Sequence, residues 1–357
     1  KDEYHGDAWT GSRGDICRCL QDEFVARKSP ESTLTFNTAV EVINPELGEI
    51  RLTNPDGTTS EAQFDLVVAS DGAGSAARRQ MQASSSSFTV ESMDNGNHSM
   101  MLAFDQNTDG LDPSYLYVFS PPPVMTVAGA INGVSGKSTP KWFCQVGFPG
   151  AKSFATVDEA KALLKSTLPP FTSFWKYASD AAIADFATQV CIATGKAKTC
   201  SSFHLGRTAL LGDAGVPFPP IGQGVNAAME MATVLEQTLT AHLQSQDWDA
   251  AAIPDALAAF TIKWKPEADA IRTISFEGLN LAERAKESKL KSSMQVFMHK
   301  FVGHLAMFNA KREDMSYAQA LAFEQKVHAR LPSWLVPATK TAPMEKLHSG
   351  RSSLQVL

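Results

Sequence analysis

The sequence predicts an α/β (α+β) fold: a Rossmann-like layer, an antiparallel β-sheet inserted into it, and helices at the C-terminal end. Two short apolar stretches, residues 64–69 and 208–211, are typical of strands buried in a parallel sheet, and each runs into a turn containing Gly and Asp. Strand-like stretches separated by Gly and Pro lie between them and indicate the inserted sheet. We therefore expect one layer to be assembled from distant parts of the chain.

The first half of the chain supplies one helix and several strands before the inserted sheet. Ile16, Leu20 and Phe24 recur at spacings of four, which predicts a helix over residues 13–27. Strand composition and partial alternation predict further strands over 33–37, 39–43 and 49–53. The inserted sheet is expected from strands over 100–104, 115–119, 125–131 and 142–148, with a helix over 157–166 after it.

The second half is dominated by helices. The helix predicted over 225–244 has an apolar stripe made of Val225, Ala228, Met229, Ala232, Leu235, Leu239 and Leu243. Further helices follow, and we expect Pro254 and Pro266 to break them. The predicted regions are 1–88 and 196–250 for the Rossmann-like layer, 89–195 for the inserted sheet domain, 251–335 for C-terminal helices and 336–357 for a polar tail.

Composition argues against several classes of function. The net charge of −6 and the isoelectric point near 5.8 disfavour a nucleic-acid or anionic-membrane partner, and no apolar run is long enough for a transmembrane segment. The five cysteines include no CxxC pair, so neither a disulfide framework nor a metal site is expected. An intracellular, reducing location, cytoplasmic or organelle-associated, is the expectation, and the oligomeric state stays open.

A first motif follows the stretch 64–69. Asp71 and Gly72 begin a turn that reaches Arg78, at the carboxyl end of a predicted parallel strand, where open α/β sheets bind ligands. Ser75 is placed to cap a following helix. A plain strand–turn–helix connection with a capping serine explains these residues about equally well.

A second, longer motif joins the strand 208–211 to the helix 225–244. Asp213 stands at the strand end, where a carboxylate can accept hydrogen bonds from sugar hydroxyls, and two later glycines let the backbone lie flat against a ligand. The free N–H groups and dipole of the helix favour an anionic ring or a phosphate. The alternative, a proline-rich loop packing on its own helix, accounts for less of the pattern. The candidate binding residues are Gly212, Asp213, Gly222, Gly224, Val225 and Asn226.

These motifs resemble the second and third FAD motifs of the para-hydroxybenzoate-hydroxylase-like flavoprotein monooxygenases. Asp71–Arg78 is similar to the family's DGxxSxxR, and Gly212–Asn226 to the motif whose Asp binds the ribitol chain. Arg13 resembles the Arg of the family's early RxxLxxxL helix, which lies near the flavin. Residues 115–118, 198–204 and 265–271 are most similar to the kynurenine 3-monooxygenases of this family.

The resemblance implies a flavin-dependent hydroxylase. FAD is the expected cofactor, bound by Arg13, Asp71, Gly72, Arg78 and the six residues of the second motif. NADPH is the expected transient co-substrate, and O₂ would supply the oxygen added to a small aromatic substrate. Pro220 and Ile221 would form a rigid wall beside the flavin ring, with a purely structural role as the equal alternative.

Three departures from the family keep other functions open. The opening residues 1–17 contain neither an apolar strand nor the GxGxxG turn that holds the ADP pyrophosphate, so the FAD-binding layer is expected to be incomplete. Gly215 and Val216 stand where the family often has a His, and Gly278 and Met307 where kynurenine hydroxylases carry an Asn and a Tyr. Besides the hydroxylation of kynurenine to 3-hydroxykynurenine, the alternatives are a monooxygenase of another aromatic acid, such as a salicylate-like one, and a non-catalytic, degenerate flavoprotein scaffold.

Overall fold

The computed structural model describes residues 11–106, 108, 110–119, 124–131, 141–167, 174–286, 298, 302, 303, 305–332 and 336. Its principal helices are α1 (Arg13–Arg27), α2 (Ala76–Ser84), α3 (Val157–Thr167), α4 (Asp180–Thr188), α5 (Gly224–Gln244), α6 (Ile253–Gly278), α7 (Leu281–Lys286), α8 (Ala306–Asn309) and α9 (Tyr317–His328). Its strands are β1 (Ala39–Asn44), β2 (Glu49–Thr53), β3 (Thr59–Gln63), β4 (Val67–Ala69), β5 (Val90–Asp94), β6 (Asn97–Phe104), β7 (Tyr117–Phe119), β8 (Met125–Ile131), β9 (Lys141–Pro149), β10 (Ile192–Ala193), β11 (Lys196–Cys200), β12 (His204–Leu205) and β13 (Thr208–Leu210).

The mixed α/β fold class predicted from the sequence is confirmed. Strands β4 and β13 are parallel neighbours, with Val67 opposite Thr208 and Ala69 opposite Leu210, and β12 pairs with the other edge of β13. Both parallel strands point their carboxyl ends, and hence the two motifs, toward the same edge of this small sheet. The parallel layer is thus built from two segments of the chain, one before and one after the inserted sheet in the sequence.

The inserted sheet is antiparallel, as predicted, in the order β10-β6-β9-β8-β7. Alternate residues of its central strand β9, including Val146 and Phe148, are fully buried, because α3 and α4 pack on that face. Ile183 and Phe186 of α4 complete this core. The alternating burial along β9 therefore shows which face of the sheet carries the helices.

A second hydrophobic core surrounds β13, α5 and α6. Leu210, Phe260 and Ile271 are fully buried there, and α9 packs against α6 from the other side. The antiparallel pair β5–β11 packs Val90 and Cys200 against this core. The division into the predicted regions stays a prediction, and the predicted tail lies outside the described residues apart from Val336.

Two strand predictions were wrong in part. Residues 33–37 form no strand, and Asn37 adopts a left-handed backbone conformation with φ of 57° that interrupts extended structure. The stretch 64–69 forms a strand only over Val67–Ala69, and Val68 is 40% exposed instead of buried on both faces. Among the described residues β4 is also an edge strand, paired on one side only, with β13.

Two predictions for the C-terminal helices also need correction. Helix α6 continues through Pro266, because buried residues on both sides of it, Trp264 and Ala268, hold the helix against its neighbours. Pro254 lies in the first turn of α6, where a missing N–H costs nothing. The buried line of α5 is Ala227, Met231 and Leu235, whereas Val225 and Met229 of the predicted stripe are largely exposed. None of the described helices is both long enough and apolar enough to cross a membrane.

Candidate functional site

The first motif forms the turn between β4 and α2. The Asp71 carboxylate accepts hydrogen bonds from the backbone N–H groups of Ala76 at 2.6 Å and Ala77 at 3.1 Å. The Ser75 hydroxyl accepts one from the N–H of Arg78 at 2.9 Å, so two side chains cap the same helix. Partial burial works to raise the pKa of Asp71, but hydrogen bonding with the Ser75 side chain and with the backbone N–H groups of Ala77 and Ala76 outweighs it and holds the pKa below its ordinary value.

Arg78 joins the first motif to the second. Its guanidinium is buried and donates hydrogen bonds to three backbone carbonyls, those of Ala73 at 2.5 Å, Asp213 at 3.3 Å and Ala214. A planar guanidinium can reach several acceptors at once, which a lysine could not do. Arg78 therefore fixes the position of the Asp213 turn relative to the start of α2.

Asp213 lies beside this junction, exposed in part and partly shielded from water by the surrounding chain. Gly212, with φ of +58°, turns the chain out of β13 into a single 3₁₀ turn, Gly212–Ala214. No hydrogen bond from the described residues reaches the Asp213 carboxylate, although its backbone carbonyl is held by Arg78. Loss of hydration raises the pKa of Asp213, against the opposing charges of Arg13 and Arg78. Arg13, at the exposed start of α1, thus lies close enough to influence this carboxylate.

A shallow cleft, open to solvent, begins at Asp213. Its other walls are the loop after β13 and the first two turns of α5, together with Trp264 and Ile271 of α6. Gly212 N–H donates to the Met231 sulfur at 3.3 Å, and the Cys200 thiol donates to the carbonyl of Gly215 at 3.3 Å. These two sulfur contacts hold the loop in place, and nothing in the sequence pattern predicted them.

The start of α5 faces open space. Its N-cap residue, Gln223, makes no capping hydrogen bond with its side chain, so the N–H groups of Gly224, Val225 and Asn226 are not covered by a cap. Gly222 has φ of +79°, and a Cβ atom at either Gly222 or Gly224 would meet no atom within 4 Å. An uncapped helix start with room in front of it can receive an anionic group.

The remaining predicted site residues border the same loop. Pro220 is exposed and Ile221 is half-buried against the helical core, directly before Gly222. Gly72, with φ of +79°, makes the turn after Asp71. The structure therefore gathers Arg13, Arg78, Asp213 and the start of α5 in one region, while the Asp71 carboxylate is directed at α2. Among the described residues no cluster of three or more His, Cys, Asp or Glu side chains could hold a metal.

A split parallel layer with an Asp and an uncapped helix start at its carboxyl edge is typical of α/β folds that bind a nucleotide cofactor. The chain belongs to the FAD-binding domain family, whose sequence model matches residues 24–251. Two groups of this site fit FAD. The Asp213 carboxylate, which receives no hydrogen bond from the described residues, suits the hydroxyl groups, and the uncapped N–H groups of α5 suit the anionic groups.

Comparison with individual proteins agrees with this family. The chain is 26% identical over 263 residues to the kynurenine 3-monooxygenase of Christiangramia forsetii, covering 71% of this chain and 55% of that protein. It thus spans little more than half the length of this curated relative.

Solved structures share the fold at lower identity. The structure of Klebsiella pneumoniae HpxO complexed with FAD and uric acid matches with a TM-score of 0.54 and 20% identity, covering 90% of this chain and 72% of that one. The tetrameric form of 2-methyl-3-hydroxypyridine-5-carboxylic acid oxygenase matches with a TM-score of 0.53 and 19% identity, covering 76% and 67%.

Proposed function

We propose that the protein containing this chain is an FAD-dependent, NAD(P)H-consuming monooxygenase that hydroxylates a small aromatic substrate with O₂. The observation that carries the proposal is the Asp213 carboxylate, free of hydrogen bonds from the described residues, next to the uncapped start of α5. Similarity to a kynurenine 3-monooxygenase supports the reaction class. Bound FAD would supply the redox chemistry, with NAD(P)H as the electron donor.

Each predicted site residue has a proposed role in holding FAD. Asp213 accepts hydrogen bonds from the ribitol hydroxyls, and the N–H groups at the start of α5 stabilise negative charge on the flavin ring. Pro220 and Ile221 form a rigid wall beside that ring. Arg13 offsets the negative charge near Asp213, consistent with its effect on the pKa of that carboxylate. The wall and the closely packed loop keep water away from the reacting ring.

The first motif is proposed to act mainly by holding the neighbouring turns in position. Asp71 and Gly72 shape the turn into α2. Arg78 holds the Asp213 turn against that region through hydrogen bonds to three backbone carbonyls. We propose that Arg78 and Asp71 support FAD binding in this indirect way. Direct contact with FAD is proposed for Gly212, Asp213, Gly222, Gly224, Val225 and Asn226.

The substrate we propose to test first is kynurenine. The identity to the curated relative favours it, but the two family positions that carry an Asn and a Tyr are Gly278 and Met307 here. These two residues are neighbours: a Cβ atom at Gly278 would lie 3.4 Å from the Met307 sulfur. The two hydrogen-bonding side chains are thus replaced together by an apolar contact, which favours a less polar aromatic acid, such as a salicylate-like one, as the second candidate.

Cofactor binding tests the family-level proposal. The full-length protein, produced with its native N-terminal sequence, is expected to show the visible absorption bands of bound flavin, either as purified or after addition of FAD. Absence of those bands under both conditions would overturn the monooxygenase proposal and leave the non-catalytic scaffold.

Substrate identity needs a separate measurement on the FAD-loaded protein. NADPH oxidation is followed with kynurenine, salicylate and simple phenols, and hydroxylated products are identified by mass spectrometry. Stimulation and product with kynurenine establish the first candidate. Stimulation only by salicylate or a phenol removes kynurenine and retains the monooxygenase, whereas oxidation without any hydroxylated product contradicts the hydroxylation proposal.

A further inference from the structure

Strand β11 runs beside the loop that carries Asp213. The Cys200 thiol, at the end of this strand, donates a hydrogen bond to the carbonyl of Gly215 at 3.3 Å. Earlier in the strand, the N–H of Lys198 donates to the carbonyl of Pro217 at 3.1 Å. Strand β11 directly follows β10 of the inserted sheet along the chain. The loop after β13 is therefore held by a strand that continues from the inserted sheet.

The carbonyl of Gly215 depends on the Cys200 thiol. Gly215 is buried, and no other hydrogen bond from the described residues reaches its carbonyl. A buried carbonyl that loses its donor costs free energy. Cys200 is itself 1% exposed, so water cannot take the place of the thiol without a change in packing. The thiol thus fastens this point of the loop to β11.

Close packing keeps Gly215 within reach of the thiol. A Cβ atom at this position would lie 3.1 Å from the Phe203 side chain and 3.5 Å from that of Met231, so a residue larger than glycine would move the loop. The Met231 sulfur also accepts the N–H of Gly212 at 3.3 Å, at the start of the 3₁₀ turn. Asp213 therefore lies between two backbone positions, each of which is held by a sulfur atom.

The Cys200 thiol keeps the proton that it donates. Burial raises its pKa to about 11, although the positive charges of Arg78, Lys265 and Lys198 act to lower it. The S–H group is therefore present as a donor at neutral pH. Because peroxides oxidise the thiolate rather than the thiol, a buried and protonated Cys200 is also suited to a protein that reduces O₂.

We propose that Cys200 is a positioning residue of the cofactor site, whose thiol fixes the turn that carries Asp213 and thereby raises the affinity for FAD. This role rests on the proposed hydrogen bonds between Asp213 and the ribitol hydroxyls. An acceptor that is already held in its binding position loses less entropy when the ligand arrives. Cys200 makes no contact with FAD itself and acts through the backbone of Gly215.

Replacement of Cys200 separates positioning from packing. Cys200→Ala removes the donor and is expected to weaken FAD binding by the folded full-length protein roughly two- to tenfold. Cys200→Ser keeps an O–H donor and should bind FAD more tightly than the alanine variant. Cys144→Ala is the matched control, because Cys144 is also fully buried but lies in β9 of the inserted sheet. It should lower the free energy of unfolding in urea and leave the affinity measured by flavin fluorescence unchanged.

A double-mutant cycle shows whether the effect of Cys200 runs through Asp213. In the Asp213→Ala background, Cys200→Ala should cause little further loss of affinity. A full additional loss in that background contradicts the positioning role, and so does an alanine variant that binds FAD as tightly as the unaltered protein. Equal affinity losses in the Cys200→Ala and Cys144→Ala variants would show that general loosening of the fold is the cause.

Hydrogen exchange in the FAD-free protein examines the turn directly. The N–H of Val216 donates to the carbonyl of Gly212 at 2.9 Å and reports on the order of the turn. It should exchange faster in Cys200→Ala than in Cys200→Ser or Cys144→Ala. Unchanged exchange in Cys200→Ala would overturn the positioning role while FAD binding by the unaltered protein retains the proposed function. Failure of the unaltered protein to bind FAD would overturn both.

Discussion

Asp71 and Asp213 both lie just beyond the end of a parallel strand, yet their carboxylates have different surroundings. The Asp71 carboxylate is engaged by two backbone N–H groups of α2, which makes it part of the helix cap. The Asp213 carboxylate receives no such bond from the described residues and lies at the edge of the shallow cleft. The same residue type at equivalent positions therefore stabilises a helix in one case and is available to a ligand in the other.

Substitution of each aspartate by alanine separates these roles. Asp213→Ala is expected to weaken FAD binding roughly ten- to hundredfold, since a hydrogen bond to an ionised acceptor contributes about 1.5–3 kcal/mol. Asp71→Ala should instead lower the free energy of unfolding by about 0.5–2 kcal/mol through loss of the cap, with a smaller effect on affinity. Flavin fluorescence titration and urea unfolding measure the two quantities. Equal affinity losses in the two variants contradict the division of roles.

The pKa shift of Asp213 predicts a pH dependence of binding. Because poor hydration raises this pKa above the ordinary value of 3.8, the carboxylate becomes protonated at a higher pH than an exposed aspartate. The ionised form binds the hydroxyls, so affinity for FAD should fall as the pH decreases toward the raised pKa. Titrations at decreasing pH should show this fall in the unaltered protein at a higher pH than the ordinary pKa of an aspartate would give. Asp213→Asn should bind more weakly and show a flatter profile, and an equally steep profile in that variant contradicts the assignment.

The raised pKa of Asp213 also makes the stability of the FAD-free protein depend on pH. A pKa that is raised in the folded state means that ionised Asp213 destabilises the fold at high pH, and this penalty disappears as the pH falls through the raised pKa. As the pH falls, ionisation of Asp213 is lost, so the affinity for FAD decreases while the free energy of unfolding of the FAD-free protein increases. Such opposition is common where a group is placed for binding.

Single residues also show the limit of sequence-based prediction at this site. Asp71, Arg78 and Asp213 were identified from their motifs, since strand–turn–helix patterns are local. The contact of Arg78 with the carbonyls of Asp213 and Ala214 spans 135 residues or more and has no local signal. The burial of Arg272 likewise depends on packing between α6 and β5, which periodicity alone does not reveal.

Helix α6 shows how packing overrides a local signal at the scale of an element. Pro266 has no N–H group, so the carbonyl of Ile262, four residues earlier, lacks its donor within the helix. That carbonyl belongs to a residue that is 77% exposed, where water can replace the donor. Phe260, Trp264 and Ile271 meanwhile bury their side chains in the helical core. Their burial outweighs the cost of one proline, and the helix continues.

Pro266→Ala should therefore stabilise the protein. The variant restores one backbone hydrogen bond at an exposed position and is expected to raise the free energy of unfolding by about 1–3 kcal/mol. Urea unfolding measures the change, and Lys263→Ala, on the exposed side of the same helix, provides a control that adds no donor. A decrease in stability for Pro266→Ala would show that the proline ring itself contributes packing.

Helix α5 shows a second limit of sequence-based prediction at the scale of an element. Its existence and its start within one residue were predicted from the sequence, because apolar residues recur with helical spacing. Its predicted stripe was right for Leu235, Leu239 and Leu243, which pack in the core, and wrong for Val225 and Met229, which are as apolar but exposed. Where a helix is apolar on more than one side, only the elements that pack against it decide which side is buried.

At the scale of the whole molecule, Asn97 links the sheet core to the helical core. This residue of β6 is 4% exposed, and its side-chain amide donates to the carbonyl of Leu279 while its oxygen accepts from the N–H of Leu281 at 3.3 Å. Asn95 adds a bond to the carbonyl of Phe276 at 3.2 Å. The start of the inserted sheet is thereby fastened to the end of α6 and the beginning of α7.

Asn97→Ala is expected to weaken this link. Two buried backbone groups lose their partners, which should lower the free energy of unfolding by about 2–4 kcal/mol. Hydrogen exchange at increasing urea should show β6, β8 and β9 separating from α5 and α6 as independent units. Gln189→Ala, which removes two exposed bonds to the backbone of Met101 within the sheet domain, is the control. Loss of protection in both cores together would mean that Asn97 does not couple them.

The split layer has a consequence for biosynthesis. The first motif leaves the ribosome 135 residues before the carbonyls that Arg78 binds, as measured from Arg78 to Asp213. At about 5–20 residues per second, that interval lasts roughly 7–27 s. During this time the edge of β4 that pairs with β13 has no partner. The strands of the inserted sheet lie close together in the chain, so this sheet can already form. A nascent chain stalled before residue 208 would thus be expected to carry a formed sheet domain beside an exposed strand edge, a form that depends on chaperones for protection from aggregation.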